Sequence, residues 1–269
     1  MQEHYIPYSK IASELPLSRE EIVLVASDIS RLAFVSMKQE KYFFPDVFID
    51  CLKEKVCTGT LLIPAFTDKP ETDKVFDIRK AKPLTGALSE SVFKRNDFKR
   101  TSDPFHSFFV WGKHQEDIIK IRNKSTFGEG SVFAFLHSNN AKMLMIDVDM
   151  QHSFTFAHYV EECEQVFYRH YKKYNIRCLQ ENGGIREEEF LFFEKKAGVS
   201  NTLNNLEQHF IEGKITQTFL INSIPFLLTD LGKAFDYIQM EIKNNKARNL
   251  YYFSPKDFIK QKIKSIVLK

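Results

Sequence analysis

Apolar runs of different period separate strands from helices along this chain. Ser18-Arg19-Glu20-Glu21 is a charged turn, and Ile22-Val23-Leu24-Val25-Ala26-Ser27 behind it is a short apolar, β-rich stretch, the pattern of a strand covered on both faces. Over 44–56 the period changes. Val47, Phe48, Cys51, Leu52 and Val56 fall near one side and Asp50, Lys53 and Glu54 on the other, which predicts an amphipathic helix. Thr58-Gly59 ends it before a second strand over 60–63. Strand, helix, strand in that order opens a βαβ architecture.

A long irregular stretch follows over 64–83, rich in Asp, Lys and Thr, and connections of that length in a compact domain are often functional. The pattern next predicts a helix from 84 or 85 to 95, a strand at Phe108-Phe109-Val110-Trp111 closed by Gly112, and a polar helix over 115–123. Phe127-Gly128-Glu129-Gly130-Ser131 is a glycine turn, followed by a short helix to Leu136 and an apolar strand over 143–148. A helix over 154–163 carries His158, Glu161 and Glu162. Residues 166–177 are aromatic and basic with strand character, Asn182-Gly183-Gly184 is a turn, and Ser200-Asn201-Thr202 are candidate caps for a helix through 206–211. A strand over 218–221, a helix over 229–242 and a last helix from Ser254-Pro255 complete the chain. No repeat or low-complexity linker divides it, so one domain is expected.

Size and charge bound the class. A chain of 269 residues can bury a substantial core as one α/β domain with an elaborated second half. Its 38 basic residues stand against 35 acidic ones, a near balance that argues against a dedicated nucleic-acid binder. Cys51, Cys57, Cys163 and Cys178 have neither C-x-x-C spacing nor disulfide-scaffold density, and read as reduced residues of a cytosolic protein. The chain start carries no basic segment leading into an apolar one, and no apolar run approaches about 18 residues, so a soluble cytoplasmic protein with no membrane partner is expected.

Missing motifs narrow the chemistry. There is no G-x-x-x-x-G-K-[ST], no G-x-G-x-x-G after a strand, no H-E-x-x-H and no G-x-S-x-G, which disfavours kinases, dinucleotide-dependent dehydrogenases, zinc proteases and α/β-hydrolases. The Gly-rich R/Q-x-x-G-x-G/A loop of the common small acetyltransferases is also absent.

What stands instead is an ordered series of short stretches. Gly59-Thr60-Leu61-Leu62-Ile63-Pro64-Ala65-Phe66-Thr67 is followed by Gly86-Ala87-Leu88-Ser89-Glu90 with Phe93-Lys94-Arg95, then by Arg100-Thr101-Ser102-Asp103-Pro104-Phe105-His106-Ser107 with Trp111-Gly112 behind it. Thr126-Phe127-Gly128-Glu129-Gly130-Ser131 and Thr155-Phe156-Ala157-His158-Tyr159-Val160-Glu161 come after. This order and spacing resemble the aminoglycoside 3-N-acetyltransferase family, well over 18–161 and loosely over 167–258. Two positions depart from its pattern: Ala26 stands where the family usually has a histidine after its first strand, and Asp103 where many members have another.

The resemblance implies an α/β fold with a central mixed sheet flanked by helices, and acetyl-CoA as cosubstrate in a cleft lined by loops at strand ends. It divides the chain into a CoA-binding and catalytic half over 1–162 and an acceptor-side half over 163–269, and leaves room for a homodimer. His158 is the implied general base: acetyl transfer needs an amine with a free lone pair, and an imidazole of ordinary pKa near 6.5 takes such a proton close to neutral pH. Glu161, three residues on, or Glu90 would orient the ring, and Asp103 joins the candidate catalytic set. Backbone N–H groups at Ser27 and through Phe127, Gly128, Gly130 and Ser131 are candidates to receive the pyrophosphate, with Arg100 and Ser107 as side-chain donors. The implied acceptor is an amino sugar, nucleotide-linked as in surface-glycan assembly. An aminoglycoside drug is the alternative, and a silent CoA- or partner-binding member a third.

Each feature also has a bland reading. His158 could be a packed histidine, Asp103-Pro104 a plain turn, and Gly128-Glu129-Gly130 a turn without a ligand. The basic, aromatic run over 167–174 reads as an edge strand more than a nucleic-acid platform, and His106 and His152 are assigned no metal.

Overall fold

A computed structural model describes residues 5–67, 75–179 and 183–267. Residues 68–74 of the irregular stretch and Asn182 of the expected turn lie outside the described residues. The strands are β1 (Ile22–Ser27), β2 (Thr60–Pro64), β3 (Val75–Asp77), β4 (Lys99–Arg100), β5 (Phe108–Gly112), β6 (Lys142–Ile146), β7 (Arg169–Leu179), β8 (Ile185–Lys195), β9 (Val199–Asn201), β10 (Thr216–Ile221), β11 (Ile224–Asp230) and β12 (Tyr251–Phe253). The helices are α1 (Ile11–Glu14), α2 (Ser30–Glu40), α3 (Pro45–Lys55), α4 (Ala87–Val92), α5 (Gln115–Ile119), α6 (Val132–Ser138), α7 (Met150–Ser153), α8 (Phe156–Cys163), α9 (Asn204–Glu212), α10 (Leu231–Asn245) and α11 (Pro255–Val267).

A seven-stranded mixed sheet in the order β10-β11-β6-β1-β2-β5-β4 forms the centre. The continuous apolarity of β1 is explained by its place in the middle: it runs parallel to β2 and β6, with Val23 opposite Leu61 and Lys142. Strand alternation sends Ile22 and Leu24 to one face, with Leu62, Phe108 and Met145 from neighbouring strands. Helices α6, α8, α9 and α10 cover that face through Phe133, Val160, Phe210 and Ile238. Val23, Val25, Leu61 and Ile63 point to the other face, which α1 to α4 cover through Ile11, Leu32, Phe48 and Leu88. The mixed, helix-flanked sheet expected from the sequence is thus present, and β1, α3 and β2 form the expected parallel unit.

Beside this layer stands a smaller sheet, β3-β7-β8, whose long antiparallel hairpin pairs Arg169 with Lys195 at one end and Leu179 with Ile185 at the other. It closes a third apolar cluster with Phe76, Phe105, Ile176 and Phe190. Three expectations change. The stretch 64–83 is not wholly irregular, because β3 pairs with β7 there. β11 precedes the helix predicted over 229–242, and Asp230 caps that helix by accepting from Lys233 N at 3.0 Å. Asn201 is a strand residue rather than a cap, and α9 begins without a side-chain cap. Among the described residues no helix is long and apolar enough to cross a membrane.

Candidate active site

Helix α8 follows β6 through the short α7, so its first turn starts from the carboxyl edge of the parallel strands. Phe156, Ala157 and Val160 are buried against the sheet, which fixes the rotation of α8 and carries His158 and Glu161, three residues apart, onto one side. His158 Nδ1 lies 2.8 Å from Glu161 Oε2. The imidazole keeps 23% of its side-chain surface open while the carboxylate has none. Glu161 Oε1 accepts from the Tyr168 hydroxyl at 2.7 Å and from Asn201 Nδ2 at 3.2 Å. Arg169 places Nε 2.7 Å from Glu161 Oε2 and Nη2 2.9 Å from His158 Nδ1, while Nη1 donates to the Phe193 carbonyl at 2.9 Å.

His158 Nδ1 faces both a carboxylate oxygen at 2.8 Å and the donor-only Arg169 Nη2 at 2.9 Å. In the tautomer that donates the Nδ1 hydrogen to Glu161, the lone pair is on Nε2 and Arg169 meets the ring through charge and not through a hydrogen bond. Burial pushes the imidazole below its usual pKa and Arg169 adds to that, together outweighing the upward pull of Glu161. Burial alone would raise the Glu161 carboxyl, but His158, Arg169 and Tyr168 outweigh it and hold it below the usual carboxylate range. Glu90 does not enter this arrangement: it is exposed on α4, which packs on the opposite face of the sheet.

A cleft of about 340 Å³ opens beside the site, walled by Asp103, His106, Arg122, Lys124, Ser131 and Glu188 among others. His158 is not one of its wall residues. The Phe127 ring contacts both imidazoles, 4.9 Å from His106 and 5.6 Å from His158. His106 stacks almost parallel to Phe192, its Nδ1 is buried with no hydrogen-bond partner among the described residues, and burial pushes its pKa down to about 3. Asp103 forms a turn: its Oδ1 accepts from the backbone of Phe105 at 2.8 Å and His106 at 2.7 Å, and its Oδ2 from Thr126 at 3.0 Å. Burial nevertheless raises its carboxyl.

The expected phosphate donors are placed differently from one another. Arg100 is buried, and its guanidinium donates to the Ser107 hydroxyl at 3.1 Å and to the carbonyls of Ala65 at 2.6 Å, Ile78 at 3.4 Å and Ala81. Ser107 itself donates to the Ala65 carbonyl at 2.7 Å. Together they clamp the chain after β2, Arg100 donating to backbone carbonyls and to the Ser107 hydroxyl, and Ser107 to the Ala65 carbonyl. Ser27 sits half-buried at the carboxyl end of β1, with Gly86 so near that a Cβ there would lie 3.3 Å from the Ser27 carbonyl. Phe127 is fully buried. Gly128 fits against Asn123 and Glu162, where a Cβ would come within 2.8 and 3.3 Å, and Gly130 faces Asn123. Ser131 caps α6 by accepting from Ala134 N at 3.2 Å.

Sequence reasoning missed Tyr168, Arg169 and Asn201. The first two fall in the aromatic, basic run read as an edge strand, and only burial distinguishes them from its exposed lysines. Glu162, also buried, accepts from the Ser125 hydroxyl at 2.6 Å and braces the Gly128 turn.

Comparison with known proteins agrees with this architecture. The family model described as aminoglycoside 3-N-acetyltransferase matches residues 24–242. Among solved structures, AAC-IIIb in a binary complex with CoASH superposes with a TM-score of 0.76 at 19% identity, covering 90% of this chain and 98% of that one. Aminoglycoside acetyltransferase AAC(3)-Xa gives 0.74 at 17% identity over 88% and 93%, and the YokD protein from Bacillus subtilis 0.70 at 18% over 88% and 99%. At these identities the likeness is one of fold. No curated protein sequence matches the chain.

Proposed function

Because the chain belongs to the aminoglycoside 3-N-acetyltransferase family, whose members are acetyl-CoA-dependent acyltransferases, we propose that it acetylates the amino group of an amino sugar with His158 as general base. The observation that carries this reading is the His158–Glu161 pair: a partly open imidazole, its Nδ1 hydrogen fixed by a buried carboxylate and its Nε2 lone pair left free.

Acetyl-CoA supplies the acyl group in activated form, as a thioester. The cleft suits a phosphorylated, hydroxyl-rich ligand, since Arg122 and Lys124 stand on its wall with Ser102, Ser125, Thr126 and Ser131. His158 Nε2 takes one proton from the acceptor's ammonium; the freed lone pair bonds to the thioester carbonyl carbon, the carbon–sulfur bond breaks, and the nitrogen's second proton passes to the departing CoA thiolate. Glu161 stabilises the imidazolium that forms, without itself accepting the proton. Burial around the dyad limits water, and the buried orphan nitrogen of His106 marks a polar point in the same wall where a ligand hydroxyl or amide can bond.

A nucleotide-linked sugar is the acceptor we favour, supported by the cations Arg122 and Lys124 in a cleft that also holds Glu188 and Glu189. The division into a catalytic half over 1–162 and an acceptor-side half over 163–269 belongs to this proposal, with Tyr168, Arg169 and Asn201 of the second half in contact with Glu161. The free cysteines fit a cytoplasmic setting.

CoA release measured with nucleotide-linked amino sugars beside aminoglycosides tests the acceptor: turnover of the first set alone is expected, and turnover of aminoglycosides alone contradicts it. His158→Asn tests the base, with kcat expected to fall by about 10² or more while CoA and acceptor still bind. A loss under roughly tenfold removes His158 from that role.

A further inference from the structure

A buried carboxylate beside an imidazole creates a problem that Glu161 alone does not solve. An anion within hydrogen-bond distance favours the imidazolium, and a histidine already protonated at neutral pH cannot act as a base. Arg169 lies where this pull can be cancelled. Its guanidinium is 97% buried and reaches both members of the pair, 2.7 Å from Glu161 Oε2 and 2.9 Å from His158 Nδ1. It is anchored from two further elements, by the Phe193 carbonyl of β8 at 2.9 Å and by Asn201 Oδ1 of β9 at 3.1 Å. Asn201 closes the loop by donating to Glu161 Oε1 at 3.2 Å.

We infer that Arg169 is a positioning residue which holds Glu161 ionised and keeps His158 neutral at working pH, so that the dyad orients the ring without protonating it. The inference rests on the reading of His158 as the base. The charged and titratable groups around the imidazole are Glu161 on its own helix, Arg169 from β7, Lys195 from β8 and His106 from the loop before β5. Burial keeps His106 neutral, and the Tyr168 phenol, pushed far above its ordinary range by burial and by Glu161, stays a hydrogen-bond donor. Glu161 is therefore the anion in direct contact with the ring; burial is the first cause that opposes its pull, and Arg169 is the cation that adds to burial. Lys195 contributes in the same direction as Arg169, as a smaller influence on His158.

The test reads His158 directly. Imidazole titration by NMR in the wild-type protein, with His158 assigned by its loss in His158→Asn, is compared with Arg169→Gln and Arg169→Lys, and the pH dependence of kcat/KM is followed in all three. The wild-type midpoint is expected below about 6.5, and a midpoint above it overturns the inference even if no Arg169 variant folds. In folded Arg169→Gln the midpoint is expected to rise by about one unit, moving the acid limb of kcat/KM with it, whereas Arg169→Lys keeps the midpoint near wild type and loses roughly tenfold in kcat. An unmoved midpoint, or a rate loss equal at every pH, overturns the inference and leaves Arg169 a packing residue. A midpoint that rises while the acid limb stays in place supports the action of Arg169 on the ring and contradicts His158 as the base.

Discussion

His106 and His158 both contact the Phe127 ring, and their surroundings give them opposite properties. His158 has a carboxylate on Nδ1 and a side chain still partly exposed, whereas His106 has aromatic rings around it and a buried Nδ1 without a partner among the described residues. A proton on His106 has no anion to meet, so its pKa falls from the usual value near 6.5 to about 3. The unfolded chain binds more protons at this site between those two values, so stability rises with pH across that window and is lost as pH falls through it. His106→Gln removes the titration, and urea unfolding at pH 7 and pH 5 should show an acid loss smaller by roughly 1–2 kcal/mol than in wild type. An equal loss in both proteins would mean that the imidazole accepts its proton freely. Asp103, where many members of the family have a histidine, spends its carboxylate on the turn that carries His106. Asp103→Ala is therefore expected to lower stability by about 1–3 kcal/mol, through two unpaired backbone N–H groups, before any effect on chemistry.

At the scale of elements, the strands and helices with a strict period were legible in the sequence. The run 22–27 and the amphipathic pattern over 44–56 became β1 and α3, because a central parallel strand is apolar on both sides and a helix on a sheet is apolar on one. β8 was not legible, since Arg186, Glu187, Glu188 and Glu189 face solvent or the cleft and mask its alternation, and β11 was hidden by Pro225 near its start. Within the site, His158 was legible through the resembling stretch 155–161 and Glu161 as one of two candidate carboxylates beside Glu90, but Arg169 and Asn201 were not legible. They arrive from β7 and β9, and no local pattern records a contact between elements. Arg100 shows the converse: its motif suggested a phosphate ligand, while the fold uses it to tie the carbonyls of Ala65, Ile78 and Ala81. Arg100→Gln should cost about 2–4 kcal/mol in unfolding free energy and leave the Kd for CoA within about threefold. A folded variant that loses CoA affinity more than about tenfold would return Arg100 to the cofactor site.

Across the whole molecule, the two faces of the sheet divide the work. Helices α1 to α4 seal one face, while the other carries α8, and the β7–β8 hairpin reaches over to lock the dyad and wall the cleft. The central claim is that His158 Nε2 faces the point where acyl transfer takes place. A crystal structure with a non-hydrolysable acetyl-CoA analogue measures this directly. The analogue's carbonyl carbon is expected within about 5 Å of Nε2, close enough for an amine nitrogen hydrogen-bonded to the imidazole to sit between them. An acyl group lying more than about 8 Å away would contradict it.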